Sequence, residues 1–140
     1  MNTTIEKDKT LISFNEKLKT GVYFPLKSFA VEIFQINVGK LCNLSCSHCH
    51  VDAGPSRTEI MTKETFEHCL KAIEHPDVKI VDLTGGAPEM NPHLEWFIKE
   101  VSRLGKRVII RSNLTVLTIP KYAPFLELFA EHNVEVVASL

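Results

Sequence analysis

Apolar positions recur along this chain in two alternating rhythms. Residues 31–38 (VEIFQINV), 78–84 (VKIVDLT), 107–112 (RVIIRS) and 134–140 (VEVVASL) are short runs rich in β-branched residues, which predicts four strands. Between them the apolar spacing widens to that of a helix. Thr62 is placed to cap a helix running to about Glu74, with Glu64 in its first turn where the helix dipole favours acid. His75, Pro76 and Asp77 make the turn that follows. Asn91 and Pro92 form a cap and first-turn pair for a helix carrying Leu94, Phe97, Ile98, Val101 and Leu104 on one face, and Gly105 ends it. Tyr122, Phe125, Leu126 and Phe129 make another apolar stripe, closed near Asn133.

Strand–helix alternation of this kind predicts an α/β fold of parallel βαβ units, about four strands with three crossover helices. The helices would lie on one face of a curling sheet, as in a barrel, or on both faces, as in a doubly wound sheet, and periodicity does not choose. In either case the loops after the strands gather at the strands' C-terminal ends, where such folds bind ligands. Residues 1–28 read as a preface: polar at first, then weakly helical over 11–19, ended by Gly21, with Pro25 breaking any continuation. The core is residues 29–140. Its fourth strand is apolar with no helix after it to cover it, so the sequence is expected to be the N-terminal part of a larger protein.

Composition narrows the classes. The 140 residues fit one domain, and 44% apolar with 24% charged is an ordinary globular balance. A formal net charge of −1 gives no reason to expect nucleic acid or an anionic membrane as partner. No apolar run is long enough to span a bilayer, and the opening MNTTIEKDKT lacks the apolar segment of a secretory signal, so a cytoplasmic location is expected.

The cysteines carry the chemistry. Cys42, Cys46 and Cys49 form a C-x3-C-x2-C loop directly after the first strand, while Cys69 stands apart. Clustered cysteines in a reducing compartment are metal ligands more often than disulfide partners. Cys69 shares helical spacing with Phe66, Leu70 and Ile73, which makes it a small buried hydrophobe. Three thiolates on one short loop can each hold one iron of a cubane cluster and leave the fourth iron open for chemistry. The alternative is zinc, held by the three cysteines with His48 or His50. A second feature lies at the end of the second strand, where Gly85 and Gly86 permit close backbone approach to a ligand or simply make a tight turn.

The C-x3-C-x2-C loop after the first strand of a partial barrel resembles the radical S-adenosylmethionine (SAM) superfamily over residues 31–140. That resemblance implies a [4Fe–4S] cluster on Cys42, Cys46 and Cys49. It also implies SAM chelating the open iron, and reductive cleavage of its sulfonium bond to a 5′-deoxyadenosyl radical. His48 stands where the family usually has an aromatic residue, and Gly85 and Gly86 resemble its glycine pair at the cofactor's amino group. The usual third residue there is Glu; here it is Ala87, with Glu89 two residues on, so a backbone contact at 87 or a substitute role for Glu89 is implied. Asn113 and Ser139 resemble polar positions that meet the methionine or ribose. An electron donor such as flavodoxin or ferredoxin and a small-molecule substrate complete the implied partners.

The wider loop is more particular. Cys49, His50, Val51, Asp52, Ala53, Gly54 and Pro55, with Arg57, Glu59 and Met61, are similar to the arsenosugar biosynthesis group of the superfamily, as are residues 83–89 (LTGGAPE) and 111–114 (RSNL). This similarity implies 5′-deoxyadenosyl transfer to a methylated trivalent arsenical. His50 is a candidate for tuning the cluster, whereas Asp52, Arg57 and Glu59 are also explained as a loop held by its own charges. Other radical SAM substrates, a peptide or another metabolite, stay open, as does a non-enzymatic zinc or iron–sulfur protein or an inactive fragment.

Overall fold

In the computed structural model, residues 12–22 and 24–138 are described. Elements follow in the order α1 (Phe14–Lys19), β1 (Ile33–Asn37), α2 (Lys63–Ile73), β2 (Ile80–Thr84), α3 (Leu94–Arg103), β3 (Arg107–Ser112), α4 (Phe125–Glu131) and β4 (Glu135–Ala138). The strands are all parallel and lie side by side in chain order, β1-β2-β3-β4. One register line runs through Ile36, Leu83, Ile110 and Val136.

The two faces of this sheet differ. Ile36, Val81, Leu83, Val108 and Ile110 point to one side and join Phe66, Ile73, Leu94, Phe97, Val101 and Phe129 in a single apolar core. Phe66 of α2 and Phe97 of α3 meet at 4.5 Å between ring centroids. Each large apolar side chain fully buried there contributes about 1.5–3 kcal/mol. The alternate positions Gln35, Asn37, Asp82, Thr84 and Arg111 occupy the opposite, polar face. Among the described residues α2, α3 and α4 all pack on that apolar side, which favours the barrel-type arrangement over the doubly wound one.

Several elements differ in detail from the pattern. β1 starts at Ile33, directly after Glu32, whose carbonyl accepts from the N–H groups of Lys79 and Ile80. Val78 belongs to the turn before β2, its N–H on the His75 carbonyl. Asn91 is not the cap of an α-helix beginning at Pro92. It follows a 3-10 turn, Pro88–Met90, and α3 begins at Leu94. Asn91 is buried, accepts from the His93 N–H at 2.9 Å and donates to the carbonyls of Val38 and Met61, tying the ends of three elements together. Leu104 and Leu126 are exposed rather than core, since α3 stops at Arg103 and α4 turns Leu128 inward in place of Leu126. Thr62 caps α2 as expected, accepting from the Thr65 N–H. Cys69 packs partly buried against the core, and burial raises its thiol pKa. In the preface, α1 carries a Ser13–Glu16 capping box and buries none of its residues; Leu11 lies outside the described residues.

Candidate active site

The loop after β1 is shaped by backbone bonds before any side chain acts. Lys40 donates to the Glu59 carbonyl, Gly54 to that of Lys40, and Cys42 to that of Gly54 at 3.2 Å, so the cysteine segment is doubled back along residues 54–60. Arg57 fastens the return: it bonds Asp52 at 2.9 Å and Glu59 at 2.5 Å. The loop is therefore held by its own charges, with Arg57 bridging both acids.

The glycine pair explains how this loop meets β2. The N–H of Gly86 donates to the Gly39 carbonyl and that of Ala87 to the Leu41 carbonyl, both at 2.9 Å. A Cβ on Gly85 would lie 2.7 Å from the Gly39 oxygen, and one on Gly86 2.4 Å from the Leu41 oxygen. Gly85 also has φ +146°, open only to glycine at low cost. The close approach these glycines permit is thus, in the first place, to the backbone of the cysteine loop.

At the C-terminal ends of the strands a cavity of about 310 Å³ opens between these segments. Cys42, Cys46, His48 and Cys49 line one side, Gly85 and Gly86 a second, and Asn113 with the end of β4 the rest. Cys42 is buried, Cys49 partly so and Cys46 exposed. Backbone N–H groups already point at two sulfurs: Leu44 at Cys42 and Ala53 at Cys49, each at 3.4 Å. The Ala53 bond, followed by Val51, lowers the pKa of the Cys49 thiol. The Asn113 carboxamide reaches the Cys42 sulfur at 3.6 Å.

Not every expected residue arrives here. Ala87 and Glu89 are buried behind the glycine pair and do not line the cavity. The carboxyl of Glu89 is 1% exposed and neither oxygen has a hydrogen-bond partner among the described residues. Burial raises its pKa, and the neighbouring Ser112 hydroxyl offsets only part of that without reaching bonding geometry. Ser139 lies outside the described residues.

Pattern reading passed over a polar row on the open face. Asp82 accepts from Gln35 at 2.8 Å and from Arg111 at 2.9–3.2 Å. Burial opposes ionisation of Asp82, but the Arg111 and Gln35 bonds outweigh it and hold the carboxyl below its ordinary range. Arg111 and Thr84 line both the main cavity and the adjoining pocket that includes His50. The available signal was that each of these polar residues interrupts an otherwise apolar strand at the same alternation phase.

The donor set suits an iron–sulfur cluster. Three free thiols share one cavity, N–H groups are directed at their sulfurs, and Cys69 lies away on α2. Among the described residues no three Cys, His, Asp or Glu side chains converge on a point that a single ion could fill. The three sulfurs lie along one side of the same cavity, and a cubane takes such thiolates one per iron.

A one-sided parallel sheet with a tri-cysteine loop at its C-terminal end is the architecture of a cluster- and cofactor-binding partial barrel. The chain belongs to the Radical SAM superfamily, whose family model matches residues 36–139. The cofactors of that superfamily are a [4Fe–4S] cluster and SAM. The chain is similar to the probable GTP 3′,8-cyclase of Pyrococcus horikoshii, 32% identical over 81 residues, covering 58% of this chain and 25% of that protein. It is similar to the same-named protein of Methanothermobacter marburgensis at 31% over 84 residues, 59% of this chain and 28% of that one. Streptococcus suis SuiB bound to S-adenosylmethionine has a similar fold, with TM-score 0.63 and 22% identity over 89% of this chain and 27% of that one. The chain thus spans about a quarter of the length of the relatives it matches.

Proposed function

We propose that this chain carries the cluster- and cofactor-binding part of an enzyme that reductively cleaves SAM, with Cys42, Cys46 and Cys49 each holding one iron of a [4Fe–4S] cluster. The carrying observation is that these cysteines share one cavity with the Gly85–Gly86 backbone at the strand ends. When bound, the cluster supplies the electron that splits the sulfonium C–S bond and releases a 5′-deoxyadenosyl fragment. The protein's part is placement. Gly85 and Gly86 bring the β2 end against the loop, His48 closes the cavity rim, and the inward polar row from Gln35 to Arg111 faces the substrate side. The division into a preface, residues 1–28, and a core from 29 belongs to the same proposal, as does an external electron donor of the flavodoxin or ferredoxin kind.

For the substrate, residues 49–61 and 83–89 favour 5′-deoxyadenosyl transfer to a methylated trivalent arsenical in arsenosugar biosynthesis. The similarity to probable GTP 3′,8-cyclases supports a second reading, in which a nucleotide is the substrate. Electron paramagnetic resonance of the anaerobically reconstituted, reduced protein tests the shared part. A [4Fe–4S]⁺ signal that changes on adding SAM is expected; zinc bound with no sulfide would sink the proposal. Product analysis then separates the substrates. An adenosylated arsenical supports the first, and consumption of GTP with release of 5′-deoxyadenosine supports the second.

A further inference from the structure

The turn after β3 holds a closed ring of side-chain hydrogen bonds. Asn113 Nδ2 donates to Asn43 Oδ1 at 2.9 Å, Asn43 Nδ2 donates to Thr115 Oγ1 at 2.8 Å, and Thr115 Oγ1 donates back to Asn113 Oδ1 at 3.0 Å. The backbone N–H of Val116 adds a second donor to Asn113 Oδ1 at 3.1 Å. A backbone N–H can only donate, so the oxygen of this carboxamide must face Val116 and its nitrogen must face the cysteine loop. There the second Nδ2 proton meets the Cys42 sulfur at 3.6 Å, across 71 residues of sequence. Both protons and both oxygen lone pairs of Asn113 are thereby used within the protein.

We propose that Asn113 is a positioning residue that tunes the redox potential of the cluster, its locked carboxamide N–H stabilising the electron-rich Cys42 thiolate. This rests on the reading of Cys42, Cys46 and Cys49 as cluster ligands. An electron added to a cluster spreads onto the thiolate sulfurs, and an N–H dipole directed at one of them favours the reduced form. Cys42 receives two such donors, the Leu44 N–H and Asn113, and is the buried ligand of the set, where a dipole is least screened by water. The assignment also replaces the expected role of Asn113 as a direct contact to methionine or ribose, since its bonding capacity is already filled.

The test is a redox titration of the reconstituted full chain, followed by electron paramagnetic resonance, without SAM. Asn113→Asp keeps the acceptor for Val116 and Thr115 but offers no N–H to sulfur. Thr115→Val opens the ring but leaves the bond to Cys42. Asn113→Asp is expected to make one-electron reduction roughly tenfold less favourable, about 59 mV lower, with Thr115→Val near wild type. A fully assembled cluster of unchanged potential in Asn113→Asp overturns the proposal. Equal shifts in both variants overturn it too, because loosening of the turn would then suffice. So does loss of the cluster in Asn113→Asp alone, which would assign the bond to assembly. Failure of the wild-type chain to take up any cluster would instead defeat the reading of the cysteines.

Discussion

Glu89 is a buried acid whose carboxyl oxygens find no hydrogen-bond partner among the described residues, and burial makes its ionisation oppose folding. Because its folded pKa lies above the unfolded one, it costs little at a pH where both states are protonated. As pH rises through the ordinary carboxylate range the unfolded chain loses its proton first, and stability falls until the folded carboxyl also ionises. Glu89→Gln, neutral throughout, is expected to be about 1–3 kcal/mol more stable than wild type in denaturant melts at mildly alkaline pH. The difference should shrink on acidification, and an equal difference at both pH values would refute the account. Gly86 makes the opposite prediction. A methyl there meets the carbonyl carbon of Leu41 at 2.8 Å as well as its oxygen, and backbone has no room to yield. Gly86→Ala is expected to cost about 1–3 kcal/mol and to reduce the iron retained per chain, read from melting temperature and metal content together.

Between strands, the ion pair of β2 and β3 sets how firmly the open face is held. Asp82 is 4% exposed, and among the described residues its side-chain support comes from Gln35 and Arg111. Arg111→Leu leaves that carboxylate uncompensated and should destabilise the fold by about 1–2 kcal/mol, less than for a fully enclosed pair because the guanidinium is half exposed. Asp82 has a depressed pKa, so its stabilising contribution holds above the ordinary carboxylate pKa and disappears as pH falls through the folded value. Arg111→Leu should therefore lose its penalty in acid, which urea melts across pH can check. At this scale the sequence was legible where one element made its own signal: Thr62 caps α2, and β3 spans residues 107–112 as its β-branched run indicated. It was illegible where a partner decides. Asn91 looks like a helix cap in isolation, but its carboxamide answers to Val38 and Met61, residues no local window includes.

Over the whole chain, the clustering of Cys42, Cys46 and Cys49 was readable from spacing, and so was the end of the sheet at which they sit, whereas the choice of a cluster over zinc came from the family resemblance. What spacing did not carry was the contact between distant turns. The glycine pair announces a tight approach but not that its neighbour is the Gly39–Leu41 backbone, and Asn113 announces polarity but not that its nitrogen faces a sulfur. Such facts depend on how βα units stack, which is a property of the assembled sheet. The order β1-β2-β3-β4 also has a meaning in time. Synthesis proceeds from the N-terminus, so each strand finds its neighbour already made and can add to it as it emerges. The cysteine loop is the first part of the cavity to leave the ribosome, the glycine pair the second and Asn113 the third. The thiols thus spend part of every translation cycle without the walls that later surround them, and that interval is when oxygen has its easiest access to them.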